Sequence, residues 1–188
     1  MLAEALGSET LLIREPGGTE MAERVRSLLK DPALEMSDVA ELLLFSAARA
    51  DLTARVIEPA RAAGRSVVCD RFIDSTAAYQ GVARGIGIDV VEDVMKLVTG
   101  SCVPDVTVLL RVDADAAHQR GQQRLAAGEV NGTDRFESEG VEFQRTVAAA
   151  YDEIAERHPE RIVVVDGEGD PAEVHQRVLS AVGRRVPG

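Results

Sequence analysis

Residues 66–81 read SVVCDRFIDSTAAYQG, and they give the strongest indication of the fold class. A short apolar run over 66–69 ends at the charged pair Asp70-Arg71, and a helical stretch follows over 75–80. Such a run is typical of a buried strand. Three further apolar runs, separated by helical patterns, lie at 9–13, 106–112 and 162–165. Buried strands that alternate with helices predict an α/β fold, in which a parallel sheet carries helices on both faces.

Along the whole chain, apolar residues three or four apart predict the helices. These lie at about 2–6, 20–30, 38–50, 52–63, 75–80, 87–98, 114–126, 139–157 and 171–183. There is no internal repeat, so we predict one domain over residues 1–188. Sheets of this kind bind ligands at the carboxyl ends of their strands. The residues that follow the strands are therefore the first candidates for a site: the loop 14–19 (REPGGT), Asp70-Arg71-Phe72 and Asp113.

The composition argues against several classes of protein. The net charge of −11 disfavours nucleic acid or an anionic membrane as the main partner. No apolar run approaches the ~18 residues of a membrane span, and the start, MLAE, is acidic where a signal peptide is basic. Two cysteines and three scattered histidines predict neither a disulfide framework nor a metal cluster. The expected location is the cytoplasm.

Asp70 and Arg71 are the first candidate site residues. A carboxylate at the tip of a buried strand can hold a hydrated Mg²⁺ close to a phosphate. The planar guanidinium of Arg71 is suited to phosphate oxygens. The alternative is a structural ion pair at a strand end, which is common, and these two residues by themselves favour it.

Two further pairs lie one helical turn apart. Thr76 and Gln80, next to Ser75, place a hydroxyl and an amide side by side, where they can bind the polar edge of a base or a sugar. Phe45 and Arg49, in LLLFSAAR, place a ring that can stack on a base next to a guanidinium that can reach its carbonyl oxygen. The alternatives are a solvated helix capped by Ser75, a core phenylalanine and a surface arginine.

The loop REPGGT follows the first predicted strand, and its glycines allow close approach of the backbone. Glu15 in this loop could share a Mg²⁺ ion or contact a sugar hydroxyl. The alternative is a tight, polar connection from strand to helix.

Taken together and in this order, the segments REPGGT, LLLFSAARADL, VVCDRFIDSTAAYQG and GTDRFE resemble the bacterial thymidylate kinase (dTMP kinase) family over nearly the whole chain. The resemblance implies a P-loop kinase fold, conversion of dTMP and ATP to dTDP and ADP with Mg²⁺, and a homodimer packed through helices that include 38–50. Phe72 departs from the commoner tyrosine, and the segment that resembles a lid holds few basic residues.

The resemblance also implies roles for individual residues. Asp70, Arg71 and Glu15 are expected at the catalytic centre, with Asp70 as the expected ligand of Mg²⁺. The dTMP site is expected to contain Arg26, Phe45, Arg49, Arg71, Ser75, Thr76 and Gln80, with Phe45 stacked on thymine. The stretch 126–138 resembles a mobile lid over ATP, with Arg124 before it and Arg135 within it.

One expected element is absent from the sequence, the phosphate-binding motif G-x-x-x-x-G-K-[ST]. The chain has two lysines, and Leu29 precedes Lys30 while Met95 precedes Lys96. By resemblance, the motif and a first strand, about 20 residues, would precede residue 2. That strand would be central, between those ending near Asp70 and Asp113. We therefore expect the chain by itself to be inactive. The alternatives are a truncated paralogue that binds a nucleotide or a partner without catalysis, and a kinase for another nucleotide.

Overall fold

The computed structural model describes residues 1–113, 115, 119, 123, 135–136 and 139–185. The strands are β1 (Leu11–Arg14), β2 (Val67–Asp70), β3 (Thr107–Arg111) and β4 (Ile162–Asp166). The helices are α1 (Leu2–Ala5), α2 (Glu20–Lys30), α3 (Asp38–Leu52), α4 (Glu58–Ala62), α5 (Ile73–Thr76), α6 (Ile88–Thr99), α7 (Val141–Arg157) and α8 (Pro171–Gly183). Two π-helical segments, Thr53–Ile57 and Ala77–Ala83, extend α3 and α5. The predicted parallel α/β fold is confirmed.

Side chains at the helix starts account for several of these boundaries. Thr19, Ser37 and Asp170 each accept a hydrogen bond from a backbone N–H in the first turn of α2, α3 and α8. A polar side chain at this position satisfies a backbone donor that has no partner within the helix. The predicted bounds of α2 (20–30) and α8 (171–183) agree with the structure at both ends.

Two differences from the predicted helices change their description, whereas the bounds predicted at 2–6, 87–98 and 139–157 shift by only one or two residues. The helices expected at 38–50 and 52–63 form one continuous run, because the segment Thr53–Ile57 continues α3 into α4 without a break. The helix expected at 75–80 begins at Ile73, so Ser75 lies inside it and does not cap it. The predicted helix at 114–126 and the predicted lid at 126–138 lie largely outside the described residues.

The four strands form two parallel pairs. β1 pairs with β2 from Leu11↔Val67 to Arg14↔Asp70, and β3 pairs with β4 from Thr107↔Ile162 to Arg111↔Asp166. Within the described part of the chain, no strand is hydrogen-bonded between β2 and β3. A cavity of about 1990 Å³ is lined by every residue of both strands. We call the part of this cavity between β2 and β3 the slot.

Helices cover the strand pairs and position the site. The largest buried cluster joins α3, α6 and α7 with the π-helical segment Ala77–Ala83. Asp74 of α5 is held by Arg161, with 2.7 Å between Oδ1 and Nη2, and its Oδ2 also accepts from the Thr107 hydroxyl of β3. These bonds tie the segment that follows β2 to the other strand pair. No helix of the described residues is long and apolar enough to cross a membrane.

Candidate active site

The site lies at the carboxyl ends of β1 and β2. Because Arg14 pairs with Asp70, the residues that follow each strand meet at one edge. The Glu15 N–H donates to the Asp70 carbonyl, with 3.0 Å between nitrogen and oxygen. Arg71 has a φ of 66°, which is uncommon for a residue with a side chain. The candidate site therefore lies at the strand ends, where parallel sheets commonly bind ligands.

Arg49 joins three parts of the site and is 2% exposed. Its Nε and Nη2 donate to Glu15 Oε2 at 2.7 and 2.6 Å. Its Nη1 donates to Thr76 Oγ1 at 2.8 Å, and its Nη2 also donates to the Phe72 carbonyl. Arg49 therefore is not the surface arginine of the alternative interpretation. It holds both the loop after β1 and the start of the helix after β2.

Glu15 is buried beside Arg49 and keeps one oxygen available. Its Oε1 has no hydrogen-bond partner among the described residues, and the residue lines the cavity. Burial raises the pKa of the Glu15 carboxyl, and the nearby Arg49 guanidinium opposes that shift without cancelling it. A buried acceptor of this kind can bind a ligand hydroxyl.

The aromatic residues gather around the cavity, although the chain holds only four Phe and two Tyr. The ring centroid of Phe136 lies 5.8 Å from that of Phe45 and 6.0 Å from that of Tyr79, and Tyr79 also contacts Phe143. Phe45 remains able to stack on a base, because it lines the cavity. Sequence reasoning missed Phe136, Tyr79 and Tyr151. Their only signal was the scarcity of aromatic residues elsewhere.

Two arginines, Arg26 and Arg71, also line the cavity. Arg26 of α2 donates from Nη1 to the Pro16 carbonyl at 2.8 Å, which brings it beside the loop after β1. The Arg71 guanidinium carbon lies 5.2 Å from the ring centre of Tyr79, and both arginines line the cavity. Ser75 hydrogen-bonds the hydroxyl of Tyr151 at 2.8 Å. The structure thus brings Arg26 and Arg71 to the same cavity as Phe45.

Arg135 lies beside α3 in this structure. Its guanidinium pairs with the buried carboxylate of Glu41, and Phe136 lies next to Phe45. These contacts place both residues near Phe45 and Gln80, and the ATP-side role of Arg135 stays a prediction. Arg124 is outside the described residues.

Asp70 is exposed at the end of β2. Among the described residues there is no group of three or more His, Cys, Asp or Glu side chains that could hold a metal ion. A single exposed carboxylate is nevertheless suited to Mg²⁺, which commonly keeps water ligands and is bound by one or two carboxylates together with substrate phosphates.

The architecture places the protein in the class of P-loop-type kinases. The crystal structure of thymidylate kinase from Ehrlichia chaffeensis matches it with a TM-score of 0.73 and 32% identity, over 96% of this chain and 85% of that one. The family model for thymidylate kinase matches residues 1–178. The chain therefore belongs to the thymidylate kinase family.

Curated relatives agree with this assignment. The thymidylate kinase of Desulfosudis oleivorans is 44% identical over 186 residues, which is 98% of this chain and 86% of the relative. That of Chlorobium chlorochromatii is 41% identical over 181 residues, which is 94% of this chain and 82% of the relative. The predicted resemblance is thus confirmed, and the chain is identified as a kinase of this family.

Cys69 provides a chemical test of this geometry. Burial raises the pKa of its thiol far above the ordinary range, with the Glu15 charge adding to the shift, and Sγ donates to the Arg71 carbonyl at 2.9 Å. An ordinary thiol is half ionised near pH ~8.5. At that pH we expect iodoacetamide to alkylate Cys69 at least about tenfold more slowly in the folded chain than in urea, measured by mass spectrometry. Equal rates would contradict the half-buried, hydrogen-bonded placement of the Cys69 thiol.

Proposed function

We propose that this protein transfers the γ-phosphoryl group of ATP to dTMP, with Mg²⁺, giving dTDP and ADP. The observation that carries the proposal is a single cavity lined by an aromatic ring (Phe45), a hydroxyl (Thr76), an amide (Gln80) and the guanidinium groups of Arg26 and Arg71. A nucleoside monophosphate presents matching groups, because a flat polar base is joined through a sugar to an anion.

The residues around the phosphates supply the chemistry that the transfer requires of the protein. The dTMP phosphate oxygen is already ionised at neutral pH, so the attack on the γ-phosphate requires no general base. Phosphoryl transfer depends mainly on positioning and on neutralising charge. In this proposal Arg26 and Arg71 hold the monophosphate, Glu15 Oε1 accepts from a sugar hydroxyl, and Asp70 holds Mg²⁺. The metal supplies charge neutralisation between the phosphates.

The slot supports a proposal for the ATP side. The edges of β2 and β3 face it, and no described strand bonds between them. We propose that a parallel strand fills the slot and leads into a phosphate-binding loop of the form G-x-x-x-x-G-K-[ST]. Such a loop presents backbone N–H groups and a lysine to the ATP phosphates.

A second function is favoured by one feature of the sequence. Neither lysine of the 188 residues follows a glycine, so these residues contain no phosphate-binding lysine of this motif. The alternative is a module that binds dTMP, or a partner, without catalysis. An assay of ATP-dependent dTDP formation distinguishes the two functions.

The dTMP site is tested by Phe45→Ala. Loss of the stacking ring is expected to weaken dTMP binding by more than about tenfold, or ~1.4 kcal/mol, in calorimetric titration. Phe143→Ala is the matched control, because Phe143 packs on Tyr79 but is not among the residues that line the cavity. Unchanged affinity in Phe45→Ala would remove Phe45 from the dTMP site.

We also propose that two copies of the chain form a homodimer through α3 and α6. Val39 and Leu43 on α3, and Val90 and Leu97 on α6, are each more than half exposed. Large apolar side chains exposed together mark association surfaces.

We expect Val39→Asp combined with Leu43→Asp to shift the mass in light scattering from two chains to one. Leu34→Asp, in the loop before α3, should leave the mass unchanged. A monomeric unsubstituted chain would contradict this proposal.

A further inference from the structure

Glu41 is a fully buried carboxylate to which no role has been assigned above. It is 1% exposed on α3 and lies one helical turn before Phe45, which in turn precedes Arg49 by one turn. Residues four apart share a helix face. Glu41, Phe45 and Arg49 therefore form a stripe on α3 that faces the site.

A second stripe faces the first from the helix that follows β2. It consists of Thr76, Gln80 and Arg84. The Gln80 Nε2 donates to Glu41 Oε1 at 2.7 Å, and Arg84 lies 3.4 Å from both Glu41 oxygens. At the other end of the stripes, Arg49 donates to Thr76. The two helices are thus joined by polar contacts on either side of the Phe45 ring.

The charge of Glu41 decides how the Gln80 amide is turned. A carboxylate that faces the guanidinium groups of Arg84 and Arg135 only accepts hydrogen bonds. The amide must therefore present its NH₂ group to Glu41. This leaves Oε1 on the other side of the amide, and no donor of the described residues is bonded to it. Gln80 lines the cavity and is 1% exposed, so the amide is held in place by its surroundings.

The Thr76 hydroxyl is likewise oriented by a charged neighbour, Arg49. Its Oγ1 accepts from Arg49 Nη1, so its O–H remains available as a donor, and Thr76 also lines the cavity. On the helix that follows β2, the cavity lining therefore offers an acceptor, Gln80 Oε1, and a donor, the Thr76 hydroxyl. The edge of thymine or uracil presents an N3–H donor beside carbonyl acceptors, whereas cytosine presents an acceptor at N3 beside an amino donor.

We propose that Glu41 is a positioning residue for base specificity. By holding the NH₂ group of Gln80, its carboxylate turns Gln80 Oε1 toward the base, where it accepts from N3–H and so favours thymine over cytosine. This inference rests on the proposed binding of dTMP. It assigns no contact between Glu41 and the substrate.

The test is calorimetric titration of dTMP and dCMP into Glu41→Gln. A glutamine at position 41 can donate as well as accept, so the Gln80 amide is free to rotate. We expect the ratio of dTMP affinity to dCMP affinity to fall at least tenfold. Asp38→Asn is the matched control, because Asp38 is an exposed carboxylate of the same helix 3.8 Å from Arg84. It should leave the ratio unchanged.

Gln80→Met provides a second variant in case Glu41→Gln does not fold. It removes the acceptor while Glu41 keeps its arginine partners, and we expect the same fall in the ratio. An equal loss of both affinities, with the ratio unchanged in the folded variant, would show a merely structural role and overturn the inference. If the unsubstituted chain binds neither nucleotide, the proposed function fails first and the inference fails with it.

Discussion

Addition of a strand-forming segment that carries G-x-x-x-x-G-K-[ST] ahead of Met1 is expected to raise ATP-dependent dTDP formation at least ~100-fold above that of residues 1–188. Loss of one preorganised donor in a phosphate or oxyanion site already costs ~10²–10³ in rate. Residues 1–188 contain no Gly-Lys pair, so the extended chain would gain a complete set of donors for the ATP phosphates.

The same segment is expected to stabilise the fold. The edges of β2 and β3 that face the slot carry backbone N–H and C=O groups that no described strand pairs, and each backbone hydrogen bond formed there would contribute roughly 0.5–1.5 kcal/mol. A parallel strand between them would pair both edges. We therefore expect the extended chain to unfold at a higher urea concentration than residues 1–188, as measured by circular dichroism.

A control separates the strand from the phosphate-binding loop. The extended chain with the motif lysine changed to alanine should keep the gain in stability but lose most of the gain in rate. Turnover of residues 1–188 within tenfold of the extended chain would show that the account of the slot is wrong. A gain in rate without a gain in stability would show that the segment does not fill the slot.

Arg49→Ala is expected to lower the free energy of unfolding by ~3–5 kcal/mol. The side chains of Arg49 and Glu15 are 2% and 4% exposed. Removal of the guanidinium leaves the Glu15 carboxylate buried without its charge partner, and also leaves Thr76 and the Phe72 carbonyl without a donor. Urea denaturation followed by circular dichroism measures the loss. We further expect dTMP affinity to fall by more than about tenfold.

Two comparisons control for the loss of charge alone. Arg24→Ala removes an exposed arginine that pairs with Glu20 on the surface of α2, and such pairs contribute only ~0–1 kcal/mol. The double variant Arg49→Met with Glu15→Leu replaces both partners by apolar groups, and should cost less than Arg49→Ala. A loss below ~1 kcal/mol in Arg49→Ala would contradict the buried pair.

Much of the fold could be predicted because residues that are neighbours in sequence mark each strand. Short apolar runs bounded by polar or glycine residues predicted all four strands to within two residues at either end. Helices with an N-cap side chain, such as α2 and α8, were also predicted well, because the cap and the first turn are neighbours in sequence. The helix end that was predicted after residue 50 is absent from the structure, because no local residue type marks the π-helical continuation of α3.

The candidate site was predicted less completely. The sequence indicated Phe45, Arg49, Thr76 and Gln80 from their spacing, and the structure places all four around one cavity. Spacing within a helix shows which residues share a face, but not which side chains of another helix they meet. The role of Arg49 as a partner of Glu15 is therefore visible only after α3 is packed beside the loop that follows β1.

Short-range patterns, chiefly the period of apolar residues, were enough to predict the parallel α/β class, and the resemblance of four segments was enough to predict the family. The packed structure was needed to show that Glu41 faces Gln80, that Phe136 lies against Phe45, and that a slot separates β2 from β3. Each of these contacts joins segments far apart in the chain. Their geometry is set by how the helices pack on the strands, which no local pattern encodes.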